Sequence, residues 1–143
     1  MSYIKPWTSI EGQLATLQAR GLGVAARYGL NNGRVFASWL RSLNYLRNVC
    51  AHHSRLWNRN VVDQPKLPPA AEVPWVMAFE GNVHATARCY LLICMLQHLL
   101  EVINPTSSWP QRMKSHLQAF PNLNHLGLNR HGMGAAEGWE ANW

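Results

Sequence analysis

The chain is organised around one stretch of sequence, Arg47-Asn48-Val49-Cys50-Ala51-His52-His53-Ser54-Arg55-Leu56-Trp57-Asn58-Arg59. This stretch ends the longest amphipathic pattern in the chain and holds more Arg, Asn and His than any other window of its length. Only here does an Arg precede a His by five or six positions. We therefore expect the preceding residues to form one helix that leads to this stretch, and the later helices to cover it.

The amphipathic pattern predicts an α-helix from about residue 34 to residue 57. At about 100° per residue, its apolar side chains share one stripe: Phe36, Trp39, Leu40, Leu43, Leu46, Cys50 and Trp57. The opposite flank is polar, and we expect no carboxylate to neutralise it: Arg34, Arg41, Asn44, Asn48, His52 and Arg55. Asn48 and His52 are one turn apart and are predicted neighbours.

Arg47 does not fit this division, because it falls beside Leu40 and Leu43 at the edge of the apolar stripe. An arginine there is costly unless something negative meets it. One interpretation is an apolar stem on the surface with a hydrated guanidinium. The other is an arginine held in a cleft, where its planar fork suits a phosphate. Periodicity favours neither.

The residues before this helix predict another helix and a turn. Thr8-Ser9-Ile10-Glu11 has the spacing of a capping box. Apolar residues then follow at helical steps, and two glycines weaken the middle of the helix: Leu14, Leu17, Val24 and Ala25, with Gly21 and Gly23. Residues 29–33, Gly-Leu-Asn-Asn-Gly, predict a C-cap and a turn.

The residues after it predict a loop and a buried helix. Four prolines make residues 58–74 the clearest loop. A third helix is expected from about residue 75 to 103, with a break near Gly81-Asn82. Its second half is apolar nearly all round, which predicts the buried centre of a bundle.

The C-terminal third predicts one more helix and an irregular tail. Ser108-Trp109-Pro110 is typical of a helix start, and Pro121 is expected to stop that helix. From Asn122 onward the sequence has no period. We expect a tail there, with Trp139 and Trp143 packed onto the body.

Length, composition and charge indicate the general class of protein. A chain of 143 residues with 48% hydrophobic and 14% charged residues predicts a single domain, residues 1–143, with a real core. The formal net charge is +6, and residues 20–66 carry eight basic residues but one acid, Asp63. A polyanionic partner suits this balance.

Cysteine usage and hydropathy predict a cytoplasmic protein. Cys50, Cys89 and Cys94 form no even framework, and we expect buried free thiols in a reducing compartment. No signal peptide is visible, and the apolar run over residues 90–100 is too short to span a bilayer, so no membrane partner is expected.

Several classes of enzyme are excluded because their sequence motifs are missing. The sequence has no glycine-rich phosphate loop, no zinc-ligand spacing, no nucleophile elbow, and too few clustered acids for a glycosidase, so no metal or cofactor is expected. Phosphodiester chemistry on RNA remains, because RNA supplies its own 2′-OH nucleophile. His52 suits proton transfer, since imidazole titrates near pH 6.5, and Arg47, aided by Asn48, suits the phosphorane charge.

The motif resembles a known family. Arg47-Asn48-x-x-x-His52 resembles the R-x4–6-H motif of the HEPN superfamily, and residues 43–59 are similar to the signature of the Abi (abortive infection) family. Ser38-Trp39-Leu40 before the motif and Met133-Gly134, Trp139 and Trp143 near the end extend this likeness over nearly the whole chain. The chain resembles only the C-terminal half of the family's longer members.

The resemblance implies an all-α HEPN-like bundle of about four helices that forms a homodimer with one composite site. It implies a metal-independent endoribonuclease of phage defence or of a toxin–antitoxin system, with RNA as substrate and an antitoxin or a separate N-terminal chain as further partners. Arg47 and His52 would be catalytic, and Asn48 would assist. The supporting RNA-binding residues would be Arg34, Arg41, His53, Arg55 and Arg59. Arg47 and His52 lie about 140° apart around an ideal helix, an awkward angle that a dimer resolves.

Two other interpretations stay open at this point. The chain could be a non-catalytic HEPN module that binds RNA or a protein through the same basic face. It could also be a truncated and inactive Abi protein. The intact Arg-Asn-His set favours catalysis.

Overall fold

The computed structural model describes residues 9–19 and 23–143, and this part of the chain is all-α, as predicted. Five α-helices occur, here named α1 to α5 in chain order: Ile10–Ala19, Gly33–Ala51, Val83–Thr86, Cys89–Ile103 and Trp109–Gln118. Short 3₁₀ helices complete it: Ala25–Tyr28, Pro74–Phe79, Asn124–Leu126, Arg130–Met133 and Trp139–Asn142. The described residues form no strand, apart from an isolated bridge between Leu123 and Leu128.

Helix α1 is shorter than its sequence pattern suggests. The Ser9 hydroxyl accepts the Gly12 N–H at 3.1 Å and caps the first turn, whereas Thr8 lies outside the described residues. Val24 and Ala25 were expected on the same helix, but they start the separate 3₁₀ helix that Gly29 ends with φ +70°. Gly23 is not helical, in keeping with the cost of glycine inside a helix. The side chains of Leu14 and Leu17 lie outside the described part.

Helix α2 begins where the sequence predicts, because the Asn32 side chain accepts the Arg34 N–H at 2.9 Å. Helix α2 packs against α4, and its buried residues are Val35, Phe36, Ala37, Ser38, Trp39, Ser42, Leu46 and Val49. Of the predicted apolar stripe, Leu40 and Leu43 are only half-buried and Cys50 is exposed. The stripe is therefore rotated towards Ser38 and Ser42, two polar residues that composition alone would place outside.

The loop over residues 58–73 has no regular element, as predicted, and it covers these serines. The Trp39 indole N–H donates to the Lys66 carbonyl oxygen at 2.9 Å, and the Lys66 N–H donates to the Ser38 hydroxyl at 2.9 Å. The Ser42 hydroxyl lies between the carbonyl oxygens of Ser38 and Asp63. These bonds satisfy both buried hydroxyls, which would otherwise cost stability.

The predicted third helix over residues 75–103 is instead three elements. Gly81, at φ +69°, follows the 3₁₀ helix, and the Asn82 side chain caps α3 by accepting the Ala85 N–H at 2.9 Å. The predicted break at Gly81-Asn82 is thus confirmed. A second break at Ala87-Arg88 was not predicted, since no Gly or Pro marks it.

Helix α4 is the buried centre, as expected. Its first seven residues, Cys89 to Met95, are all buried. On its next turn His98 meets the edge of Trp39 at 5.7 Å between ring centroids. His98 Nδ1 accepts from the Trp75 indole at 3.4 Å, and its Nε2 lies 2.8 Å from the Tyr28 carbonyl oxygen. One neutral tautomer serves both bonds, with the proton on Nε2.

The C-terminal segment is more ordered than the predicted irregular tail. It contains three of the 3₁₀ helices and contributes Met133, Ala135 and Trp139 to the core. Trp139 and Trp143 pack onto the body as expected, with ring contacts to Tyr90. The sequence contains little indication of these helices, because their short 3₁₀ turns do not repeat apolar residues at a regular period.

Helix α5 starts at Trp109 as predicted and ends at Gln118, before Pro121. Ser108 occupies the N-cap position without a side-chain bond there. The Ser107 hydroxyl instead accepts the Trp109 N–H at 3.2 Å. The side chain that bonds to the start of the helix is therefore Ser107 and not the predicted Ser108.

Candidate functional site

The central feature of the Arg-Asn-His stretch is the end of α2. The helix ends at Ala51 and not near Trp57, so Arg55 and Trp57 are not helical, contrary to the prediction. The His53 N–H donates to the Cys50 carbonyl oxygen at 3.0 Å, and the Ser54 N–H donates to the Val49 carbonyl oxygen at 3.1 Å. These two bonds form a Schellman motif.

His53 holds the turning position of that motif, at φ +51°. Glycine usually occupies this place, because a side chain costs energy in the left-handed region. His53 is the single non-glycine residue with positive φ in the described part of the chain. Since the sequence shows no glycine there, periodicity could not place the helix end.

His52 is the last residue before that turn. Its N–H donates to the Asn48 carbonyl oxygen at 3.1 Å, so the predicted neighbours Asn48 and His52 are stacked along the helix end. Both side chains are exposed. The His52 imidazole makes no hydrogen bond to any residue that the structure describes, which leaves its nitrogens available to a ligand.

Arg47 completes the set. Its guanidinium is exposed and its Nη1 donates to Asn48 Oδ1 at 3.0 Å. Of the two interpretations left open by periodicity, the structure supports the hydrated head group over an arginine in a cleft of the monomer. The bond also fixes the Asn48 amide: its oxygen faces Arg47 and its NH₂ remains free to donate outward. Arg47, Asn48 and His52 thus form an exposed cluster, here called the motif cluster.

Arg59 approaches this cluster through Tyr45. The Arg59 Nε donates to the Tyr45 hydroxyl at 3.1 Å, and that hydroxyl donates to the Asn60 carbonyl oxygen at 3.3 Å. Tyr45 is three residues before Asn48 and so lies on the neighbouring turn. Tyr45 was not predicted as a site residue, although it sits in the quoted family string, because only tertiary structure shows its pairing with Arg59.

The remaining predicted RNA-binding residues are dispersed. His53 and Arg55 are exposed next to the cluster, and neither side chain bonds to another described residue. Arg34 and Arg41 lie towards the other end of α2, where they line a cleft of about 310 Å³ with Lys66 and Glu11. A rise of about 1.5 Å per residue places Arg34 about 21 Å from Asn48, too far to share one phosphate.

The polar flank of α2 was expected to have no carboxylate beside it, but the structure places one there. Glu11 of α1 pairs with Arg41, with 2.8 Å between the Arg41 Nη1 and the Glu11 Oε1. This prediction was wrong because the acid comes from a distant part of the chain. The pair is partly exposed and adds little stability.

The segment that follows the cluster is held by the start of α4. The Val61 N–H donates to the Ala87 carbonyl oxygen at 2.8 Å, and the Arg88 guanidinium donates to the Asn58 carbonyl oxygen. No sequence signal marked Arg88 for this role. Its bond to Asn58 holds the loop backbone that carries Arg55 and Arg59.

Two thiols differ from the third. Cys89 and Cys94 are buried free thiols as predicted, whereas Cys50 is an exposed free thiol beside the motif cluster. Burial raises the pKa of Cys89 to about 11 and the pKa of Cys94 to about 12. Neither buried thiol is therefore a nucleophile near neutral pH.

In residues 9–19 and 23–143, no group of three or more His, Cys, Asp or Glu side chains is arranged to hold a metal ion. No helix formed by these residues is long and apolar enough to cross a membrane.

Comparison with known proteins bears on the same stretch. The motif cluster, the Schellman end and most of the supporting residues fall within one continuous segment. Residues 13–58 match the Abi-like protein family. The match supports the Abi family and covers about a third of the chain, including every predicted site residue except Arg59. No curated protein and no solved structure matched the chain.

Proposed function

We propose that this chain is a metal-independent endoribonuclease with a role in abortive infection or in a toxin–antitoxin system. The Abi-like match suggests the abortive-infection role. The observation that carries the chemistry is the exposed Arg47-Asn48-His52 cluster at the end of α2, whose cation and imidazole have no carboxylate partner among the residues that the structure describes. No Asp or Glu occurs in sequence between Glu11 and Asp63. The HEPN assignment is part of this proposal.

The reaction is transesterification within the RNA strand. A neutral His52 imidazole takes the proton of the 2′-OH, and the 2′ oxygen attacks the adjacent phosphorus. The P–O5′ bond breaks, and an imidazolium returns a proton to the leaving 5′ oxygen. The products are a 2′,3′-cyclic phosphate and a 5′-OH end, with no net consumption of protons or electrons.

Arg47 and Asn48 would stabilise the charge that develops on the phosphorane oxygens. Arg47 supplies a permanent cation, and the free NH₂ of Asn48 supplies a neutral donor beside it. The Arg47–Asn48 hydrogen bond holds both groups in place before substrate arrives. Preorganised donors of this kind need no rearrangement during the reaction.

We further propose a homodimer as the active form. On an ideal helix Arg47 and His52 would lie about 140° apart, so two α2 ends placed together would let Arg47 of one protomer serve His52 of its partner. Asn44, Arg47 and Asn48 share one face of α2, and they are exposed and not covered by other described residues. An antitoxin or a separate N-terminal chain would be a further partner.

The first test is cleavage of a mixed-sequence RNA in the presence of EDTA. The proposal predicts products that end in 2′,3′-cyclic phosphate with the wild-type chain, and none with Arg47→Ala. Cleavage that disappears on adding EDTA would contradict the metal-independent mechanism. If Arg47→Ala cleaved RNA as fast as the wild-type chain, Arg47 would have no catalytic role.

The dimer has its own test. Arg47→Ala and His52→Ala chains are inactive singly in this scheme, but a mixed dimer holds one intact Arg47 and one intact His52. Mixing the two variants after partial denaturation and refolding should restore cleavage. No recovery, from chains shown to exchange subunits, would argue for a site within one chain.

A second candidate function is RNA binding without cleavage. It is favoured by one observation, the cleft that groups Arg34, Arg41 and Lys66 far from the motif cluster. It predicts salt-sensitive binding that weakens with Arg34→Ala and Lys66→Ala, and no cleavage by the wild-type chain. Binding that persists in an inactive wild type would favour this function.

A further inference from the structure

An apolar groove opens directly after the motif cluster. It has a volume of about 250 Å³, and its walls include Leu56, Trp57, Met113, His116, Phe120 and Met133. The rings of Trp57 and Phe120 lie 6.2 Å apart at their centroids and are inclined by 24°. Both side chains are only half-buried, so aromatic surface is open to solvent here. We name this feature the Trp57–Phe120 groove.

The groove is rigid on the side of Trp57. The Trp57 indole N–H donates to the Asn129 carbonyl oxygen at 2.9 Å. Gly132 lies against the same ring so closely that a Cβ on it would overlap the indole. A preorganised aromatic wall loses little entropy when a flat ligand binds to it.

A polar pocket adjoins the groove and shares Phe120 with it. This pocket, of about 220 Å³, is lined by Asn122, Asn124, Asn129 and Arg130. The Asn122 Oδ1 accepts the Asn124 N–H at 3.4 Å, whereas the Asn124 side chain is exposed and bonds to no other described residue. Amide and guanidinium groups therefore lie next to the apolar surface.

Charge distinguishes these two cavities from three others in the described part of the chain. Neither the groove nor the polar pocket is lined by an Asp or a Glu. The other three each include a glutamate: Glu137, Glu11 and Glu101. The groove and the pocket together thus offer apolar surface beside Arg130 without an acidic residue in either lining.

The groove is also close to the motif cluster along the chain. Leu56 follows His52 by four residues, and an extended chain spans at most about 3.5 Å per residue. The Cα atoms of Leu56 and His52 are therefore at most about 14 Å apart by this limit. One RNA segment can contact both places.

We propose that the Trp57–Phe120 groove binds a nucleobase of single-stranded RNA, one that lies near the phosphate held by the motif cluster. Base stacking on aromatic side chains beside basic groups is a general mode of single-strand recognition. The groove is small, and the adjoining pocket supplies amides and Arg130, a combination that fits one base with its phosphate better than a protein face. This inference rests on the proposed function, since it takes RNA to be the ligand of the same site.

Binding measurements in a cleavage-inactive background test this directly. The full-length His52→Ala chain is titrated, by fluorescence anisotropy, with a labelled RNA of about 12 nucleotides and with the same strand made abasic throughout. We expect the base-bearing RNA to bind about tenfold more tightly than the abasic strand. Phe120→Leu should abolish this ratio, while Phe120→Trp should keep it.

Controls separate stacking from folding and from assembly. Leu126→Ala alters an exposed apolar residue outside the groove, and it should leave the ratio unchanged. Equal binding of the two strands by the parental chain, or an unchanged ratio in a folded Phe120→Leu chain, would overturn the inference. So would a Phe120→Leu chain whose only defect, by sedimentation, is loss of dimer.

A failure of the groove inference and a failure of the proposed endoribonuclease function give different results. Cleavage of RNA without any preference for bases over abasic sites would refute the groove and leave the endoribonuclease intact. Base-dependent binding that needs Phe120, in a wild-type chain that never cleaves RNA, would support the groove and refute the endoribonuclease.

Discussion

The two faces of α2 have opposite surroundings. Ser38, Trp39 and Ser42 are almost fully buried, covered by α4 and by the loop over residues 58–73. Arg47, on the same helix, and His52, at its C-cap, are exposed and have no partner from another element of the described chain. One helix thus supplies the packing of the fold and, by our proposal, its chemistry. Substitutions on the buried face should change stability, and substitutions on the exposed face should change activity.

Trp39→Ala should give the largest effect. Trp39 is 0% exposed, so the substitution leaves a large cavity and should lower the free energy of unfolding by about 3–5 kcal/mol. Chemical denaturation followed by circular dichroism measures this loss. Trp39→Phe keeps the apolar bulk but removes the indole N–H that meets Lys66, and it should cost less. A Trp39→Ala chain as stable as wild type would mean that the buried face is wrongly assigned.

Alkaline pH should weaken the buried centre next. Burial raises the pKa of Cys89 from 9.0 to about 11 and that of Cys94 to about 12, so the folded state binds these protons more tightly than the unfolded chain. The contribution of each thiol is complete below pH 9 and is lost as the pH rises towards its folded pKa, by about 2–3 kcal/mol per thiol at pH 11. Urea unfolding at pH 8 and pH 11 measures it.

Thiol titration supplies the control for that experiment. Cys50 is exposed, so a thiol reagent at pH 8 should modify it in the native chain and reach Cys89 and Cys94 only after unfolding. Fast modification of all three thiols under native conditions would contradict the burial of the other two. A Cys94→Ala chain should also show a shallower loss of stability above pH 9.

Gly132→Ala should have an intermediate effect on the support of the exposed region. The new methyl group would overlap the Trp57 ring, which must shift, and the cost should be about 1–3 kcal/mol. Gly127→Ala is the matched control: Gly127 has φ +69° but open space around it, so only backbone strain is added. Thermal unfolding of both variants measures the difference. If Gly127→Ala cost more than Gly132→Ala, the close packing of Trp57 would be in doubt.

His53→Gly should have the smallest effect and the opposite sign. Glycine relieves the strain of φ +51° at the end of α2, and we expect a gain of about 0.5–1 kcal/mol in the free energy of unfolding. Thermal unfolding against wild type measures this gain. A loss of stability would show that the His53 side chain makes a contact that outweighs the strain.

The sequence predicted what depends on local signals. The C-cap at Gly29, the break at Gly81-Asn82 and the burial of α4 all follow from residue type and period. The neighbouring positions of Asn48 and His52 also follow from helical spacing, whereas spacing left the place of Arg47 open. These features need no knowledge of distant contacts.

Two contacts were missed because distant parts of the chain make them, and the other errors are local. The pairing of Glu11 with Arg41 and of Tyr45 with Arg59 joins separate elements. The end of α2 depends on a histidine in a conformation that glycine usually signals. The C-terminal 3₁₀ helices are buried without an apolar period, so periodicity had nothing to detect.

The most direct test compares RNA cleavage by two chains that differ at adjacent histidines. In EDTA, His52→Ala should lose about 10²–10⁴-fold of the wild-type rate, the usual contribution of a general acid or base. The folded, more stable His53→Gly chain should retain cleavage, because His53 has only a supporting role. Equal loss in both chains, or full activity of His52→Ala, would contradict the claim that His52 carries the chemistry of this face.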